Sequence, residues 1–272
     1  MEDIVPILIV AIYVGLFASE RIVPARPLPA VKGWTLKGIL FFVMVMALSG
    51  VMPAVVALTL GEHSPLGLSN TGLLLGALLT LLVTEFLQYW MHRTFHNVPF
   101  LWRWVHQLHH SAERLDIPGA AFTSPLEIIV TGGVAAVATL LLGVGPGAAA
   151  LAGLVSVFCS IFQHWNVKTP RWVGYVVQRP EAHSVHHARG VHAYNYANLP
   201  IFDMLFGTFR NPKEFVETQG FWHGASRRLG AMLLGRDIGE PPAVMAAELA
   251  AQDSNAAVAN SSRVVSSRSW PL

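Results

Sequence analysis

GLLLGALLTLLVTEFLQYWMHRTFH, residues 72–96, runs an apolar stretch of membrane-crossing length straight into two histidines four positions apart. About 20 mostly apolar residues are what a helix needs to cross the hydrocarbon core of a bilayer. Four further runs of this kind occur, at roughly 4–19, 38–60, 126–142 and 147–163. The last two are joined only by GVGPG, so they are either a hairpin of full spans or a re-entrant pair. Pro53 is expected to kink the second run, which a membrane helix tolerates. The first run lacks a basic leader and an A-x-A cleavage site and reads as a retained span.

Composition agrees. Of 272 residues, 53% are hydrophobic and only 12% charged, against about a quarter charged in soluble domains. The fold class is all-α integral membrane, with four to five transmembrane or membrane-embedded helices and a helical cap. Residues 1–72 supply N-terminal membrane helices, 73–212 the functional region, and 213–272 a cytoplasmic C-terminal tail, partly disordered after about 240.

Charge gives the orientation. If all five runs cross, the N-terminus and the loops at 61–71 and 143–146 share one side, and none of them contains Lys or Arg. All 18 basic residues then fall on or beside the other face, which the positive-inside rule makes cytoplasmic. Anionic lipid explains this basic balance without a nucleic-acid partner. Cys159, the single cysteine, excludes an internal disulfide and any thiolate cluster.

The twelve histidines are concentrated. His92 and His96 form HxxxH, while His106, His109 and His110, and again His183, His186 and His187, form HxxHH. At about 100° per residue, positions i, i+3 and i+4 share one arc of a helix. The proposed topology returns these clusters, with His164 and His192, to one membrane face. Ten imidazoles there exceed what one ion takes, so two metals are the natural count, and nitrogen-rich, cysteine-free ligation suits Fe, Zn, Cu or Ni. A lone HxxxH is more often surface or core; the three clusters together carry the metal reading. His164 and His192 could each be a ligand, a hydrogen-bond partner of one or an interfacial histidine. His63 and His223 are read as structural. Glu85, seven residues before His92 on the same helical face, could accept the second N–H of a ligating imidazole. Asp203 could serve similarly or cap a turn, and Glu127 favours a helix N-terminus.

At YWMHRTFH, LWRWVHQLHHS, FQHWNV and NYANLPIFDMLFGTF, the chain resembles the fatty acid hydroxylase/sterol desaturase superfamily, across roughly 73–212. It departs from that pattern at Glu85, where Asp is frequent, at Ser124 of SPLE, where histidine is frequent, and at Ala197. The resemblance implies O2-dependent hydroxylation or desaturation of a sterol, fatty acyl or related chain, with O2 as co-substrate. It places two iron ions at the cytoplasmic face of a membrane, a bacterial inner membrane being the expected one. No dinucleotide or haem-attachment motif is present, so electrons would come from a ferredoxin-, cytochrome- or flavoprotein-type donor. Arg171, Arg179, Arg189 and Arg210 are the expected docking face if that donor is acidic. The rival readings are a zinc-loaded relative with non-redox chemistry and a membrane metal-binding or transport protein. A zincin is disfavoured by Arg93 after His92.

Overall fold

A computed structural model describes residues 4–60 and 64–241; His63 and the expected disordered tail lie outside them. Among the described residues every regular element is helical, apart from one isolated bridge between Ala188 and Gln219. The long helices are α1 (Val5–Ile22), α2 (Trp34–Leu48), α3 (Val51–Leu60), α4 (Leu73–Asn97), α5 (Pro125–Leu142) and α6 (Pro146–Phe162). A seven-residue helix, α7, covers Pro180–His186.

Four stretches are long and apolar enough to cross a membrane: α1, the α2–α3 unit, α4 and α5, while the 17-residue α6 is a shorter apolar helix. The second unit breaks between Leu48 and Val51. Pro53 accounts for this, since its ring lacks an N–H and clashes with the carbonyl four residues back, that of Ser49. Leu58 and Leu74 are largely exposed, as expected of faces covered by lipid tails rather than protein.

The 25 residues of α4 give a rod of about 37 Å, longer than a hydrocarbon core of about 30 Å. A rod of that length spans the layer with tilt or overhang and leaves His92 and His96, in its last two turns, toward one end. Small residues let α6 approach α4 closely: a Cβ on Gly76 would stand 2.9 Å from the Ala148 methyl. Ala77, Leu142, Val144, Ala148 and Ala152 complete that contact.

The histidine-bearing end is held by buried carboxylates. Glu20 of α1 accepts hydrogen bonds from the Ile117 and Asn166 backbone N–H groups. Asp116 caps the turn Ile117–Ala120 through the Gly119 N–H and accepts from Trp34 Nε1 at 2.8 Å. Residues 213–241, expected as a tail, instead pack inward. Phe221, Trp222, Met232 and Ile238 join Trp34, Leu108 and Phe122 in one apolar cluster.

At Gly38 of α2 the helix meets Pro118, and a Cβ there would collide with the proline's backbone and ring. Gly38→Ala is expected to destabilise the protein by about 1–3 kcal/mol through overpacking, seen as a lower melting temperature in detergent. An unchanged melting temperature would show that this contact is soft.

Candidate metal centre

Two histidine sets form at the C-terminal end of α4. His92, His96, His106, His110 and His186 make one, and His109, His164, His183 and His187 the other; within each, one ligand atom per residue lies within 4.8 Å of all the rest. Local geometry explains the sorting. Trp102–His106 is a π-helical turn that passes into the α-helical Gln107–His110. His106 and His110, four apart, face one set, and His109 faces the other. In HSVHH the sharing is reversed, with His186 in the first set and His183 and His187 in the second. His164 lies two residues past Phe162, the end of α6, and five after the buried Cys159.

The ring protons can be assigned from chemistry. His92 Nδ1 donates to the Tyr196 carbonyl at 2.7 Å and His186 Nδ1 to the Tyr194 carbonyl at 2.7 Å. His109 Nδ1 donates to the Phe122 carbonyl and His164 Nδ1 to the Ser160 carbonyl. His106 Nδ1 donates to Glu127 Oε1 at 2.8 Å. Each acceptor is an oxygen, so each of these Nδ1 atoms carries the proton and each Nε2 is left as a bare lone pair. Yet the Nε2 atoms of His92 and His106 stand 2.9 Å apart, and those of His109 and His164 3.2 Å apart. Two lone pairs at such distances repel unless a cation lies between them, so the donor set fits a metal ion in each cluster. His186 Nε2, buried without a partner, fits the same reading.

Charge state agrees. Burial pushes the His106 imidazole down to about 3, with help from His192. It pushes His109 down to about 4, the Glu127 charge opposing. His110, His164, His183, His186 and His187 are likewise held well below the usual imidazole range, first by burial and then by neighbouring rings. These rings are neutral at physiological pH, as metal ligation requires.

The remaining expectations resolve differently. His192 joins neither set; its Nδ1 lies 3.0 Å from His110 Nδ1, behind the face that His110 turns to its cluster. Glu85 touches no imidazole: its Oε1 accepts from Ser156 Oγ at 2.5 Å and Asn198 Nδ2 at 3.1 Å. The seven-residue spacing puts it on the face of His92 but two turns away, beyond the reach of a carboxylate. Asp203 acts through backbone, accepting from the N–H groups of Tyr196 and Ala197 and from Thr208 Oγ1. It thereby fixes the peptide whose Tyr196 carbonyl orients His92, while the Asn195 N–H, donating to the Thr208 carbonyl, fixes the peptide whose Tyr194 carbonyl orients His186. In that loop His192, Tyr194 and Asn195 have φ of 41°, 68° and 49°, a left-handed conformation uncommon outside glycine. The Asn195 side chain holds it, donating to the Ala182 and Arg210 carbonyls and accepting from the Arg210 N–H. His223 is exposed and away from both sets.

Glu127 was expected only as a helix-terminal charge; the structure makes it a direct partner of His106, with Thr123 Oγ1 donating to its other oxygen at 2.6 Å. Ser124 is the N-cap of α5: it accepts from the Glu127 N–H and donates to the Val105 carbonyl. It thus ties Glu127 to the segment that carries His106.

A cavity of about 390 Å³ reaches these histidines from within the helix bundle. Phe42, Val45, Ile128, Ala135 and Val157 line it, and His92, His106, His109, His164 and His183 stand at its end.

Residues 77–208, which hold every member of both sets, match the sequence model of the family described as fatty acid hydroxylase. Over this region the chain belongs to the fatty acid hydroxylase superfamily. Its relatives include the ornithine lipid hydroxylase of Rhizobium tropici, 31% identical over 49% of this chain and 41% of that one. A very-long-chain aldehyde decarbonylase of Oryza sativa subsp. indica is 29% identical over 48% of this chain and 53% of its own length. The alkylglycerol monooxygenase of Homo sapiens is 32% identical over 48% and 30%. The chain thus aligns with only about a third to a half of each. No solved structure matches it. In this fatty acid hydroxylase region the departure at Ser124 removes no member of either set.

Proposed function

We propose that the protein is an O2-dependent oxidase of apolar lipid chains, hydroxylating or desaturating them at a di-iron centre on the cytoplasmic face of its membrane. The observation that carries this reading is the pair of facing bare nitrogens in each set, His92 with His106 and His109 with His164, at the end of an apolar cavity. Nine imidazoles would hold two ions: His92, His96, His106, His110 and His186 one, His109, His164, His183 and His187 the other. Bound iron supplies the O2 chemistry that oxidises an unactivated C–H bond, using two external electrons per turnover.

The chain's own residues do the rest. Glu127 and the carbonyls of Tyr194, Tyr196, Phe122 and Ser160 hold ring protons on Nδ1 and so aim Nε2 inward. His192 positions His110 from behind. The apolar cavity excludes water and presents a hydrocarbon segment to the imidazoles. Arg179 drops out of the expected donor surface, because it is buried in an ion pair with Glu181 at 2.8 Å. Arg171, Arg189 and Arg210 stay exposed and are the basic surface for an acidic electron donor.

The test is metal analysis of protein purified without chelator, joined to mass spectrometry of lipids from cells with and without the expressed gene. Two irons per chain and a lipid one oxygen heavier, or two hydrogens lighter, are expected. Zinc without any oxidised lipid would overturn the reading. Glu127→Ala is expected to weaken metal affinity by about 10–100-fold, measured by competition with a chelator. Wild-type affinity would show that His106 needs no carboxylate to hold its tautomer.

A further inference from the structure

Glu85 is a buried acid that no histidine contacts and that stands in the cavity wall. It lies fully buried on α4, seven residues and so about 10 Å along the axis from His92, on the same face. Ser156 and Asn198 both donate to Oε1, while Oε2 has no partner. An acid inside a membrane span is costly, and an unpaired buried oxygen more so. Glu85 is also part of the wall of the cavity whose other end is the two histidine sets. Tyr13, in the same wall, has a buried hydroxyl that likewise lacks a partner.

We propose that Glu85 Oε2 accepts a hydrogen bond from a hydroxyl group of the lipid in the cavity, so that the preferred substrate carries a hydroxyl about 10 Å from the carbon shown to the histidines. This rests on the functional reading above and narrows its substrate class. No Lys or Arg lines the cavity, so an anionic group would find no counter-charge there. An ammonium would have to shed its hydration shell to form a buried ion pair, which commonly costs more than it returns. A hydroxyl satisfies the orphan oxygen at the smallest desolvation cost.

Binding separates this from catalysis. Protein purified with its metal, in detergent and with no electron donor supplied, is titrated with 1-dodecanol and with dodecane, each affinity corrected for partition into empty micelles. Wild-type protein is expected to prefer the alcohol by about tenfold or more, and Glu85→Leu to bind both probes alike. Equal affinities in the wild type overturn the proposal, and need no variant to fold. An unchanged preference in Glu85→Leu overturns it too. Failure of the oxidase reading would appear instead as missing iron or missing oxidised lipid, with the binding preference intact.

Discussion

Alanine at His109 is expected to cut metal content from two ions per chain to at most one and to bring lipid oxidation down to background. His109 belongs to the smaller set, whose four imidazoles are the fewest that complete a tetrahedral nitrogen site. Its Nε2 faces that of His164 at 3.2 Å, so its removal opens the side of the site nearest the cavity. The five-membered set gives the control. His96→Ala leaves four imidazoles there and is expected to retain more metal than His109→Ala. Metal per chain by mass spectrometry, read beside a melting curve in detergent, separates ligand loss from misfolding. Two tightly held ions in His109→Ala would remove His109 from the ligand set.

Asp203→Ala is expected to be the most damaging change away from the imidazoles. Asp203 is fully buried and accepts three hydrogen bonds. Truncation strands two backbone N–H groups, at about 1–3 kcal/mol each when buried, and leaves the Thr208 hydroxyl only the Tyr89 hydroxyl as partner. A loss of roughly 3 kcal/mol or more follows, and it falls on a strained left-handed loop that would then rest on Asn195 alone. Because that loop supplies the Tyr194 and Tyr196 carbonyls, His92 and His186 lose their orientation with it. Lower metal affinity should therefore accompany the lower melting temperature. Asp203→Ala with normal metal affinity would show that the carbonyls are held by Asn195 alone.

The membrane helices were legible because a span is a property of local composition: length and hydropathy locate each one without knowledge of its neighbours. The three histidine motifs were legible because 100° per residue fixes which side chains share an arc. What HxxHH cannot say is how its members divide, since that depends on where the second helix sits and on a π-helical turn that no residue pattern announces. Glu85 shows the limit of spacing arguments. Seven residues put it on the correct face, but axial rise took it two turns from the nearest imidazole. Glu127 was visible in SPLE, yet its contact with His106 joins segments 21 positions apart. The four orienting carbonyls left no trace, because backbone oxygens belong to every residue alike.

HQLHH and HSVHH each contribute to both sets, in opposite proportion. Neither ion can therefore bind without fixing both segments, and the ordering entropy for the second is already spent when the first arrives. Loading should be cooperative: titrated with iron, the apoprotein is expected to pass from empty to doubly filled with little singly filled species between. Such a protein is protected against half-assembled centres, and iron scarcity would leave a population divided into complete and empty molecules rather than uniformly weakened ones.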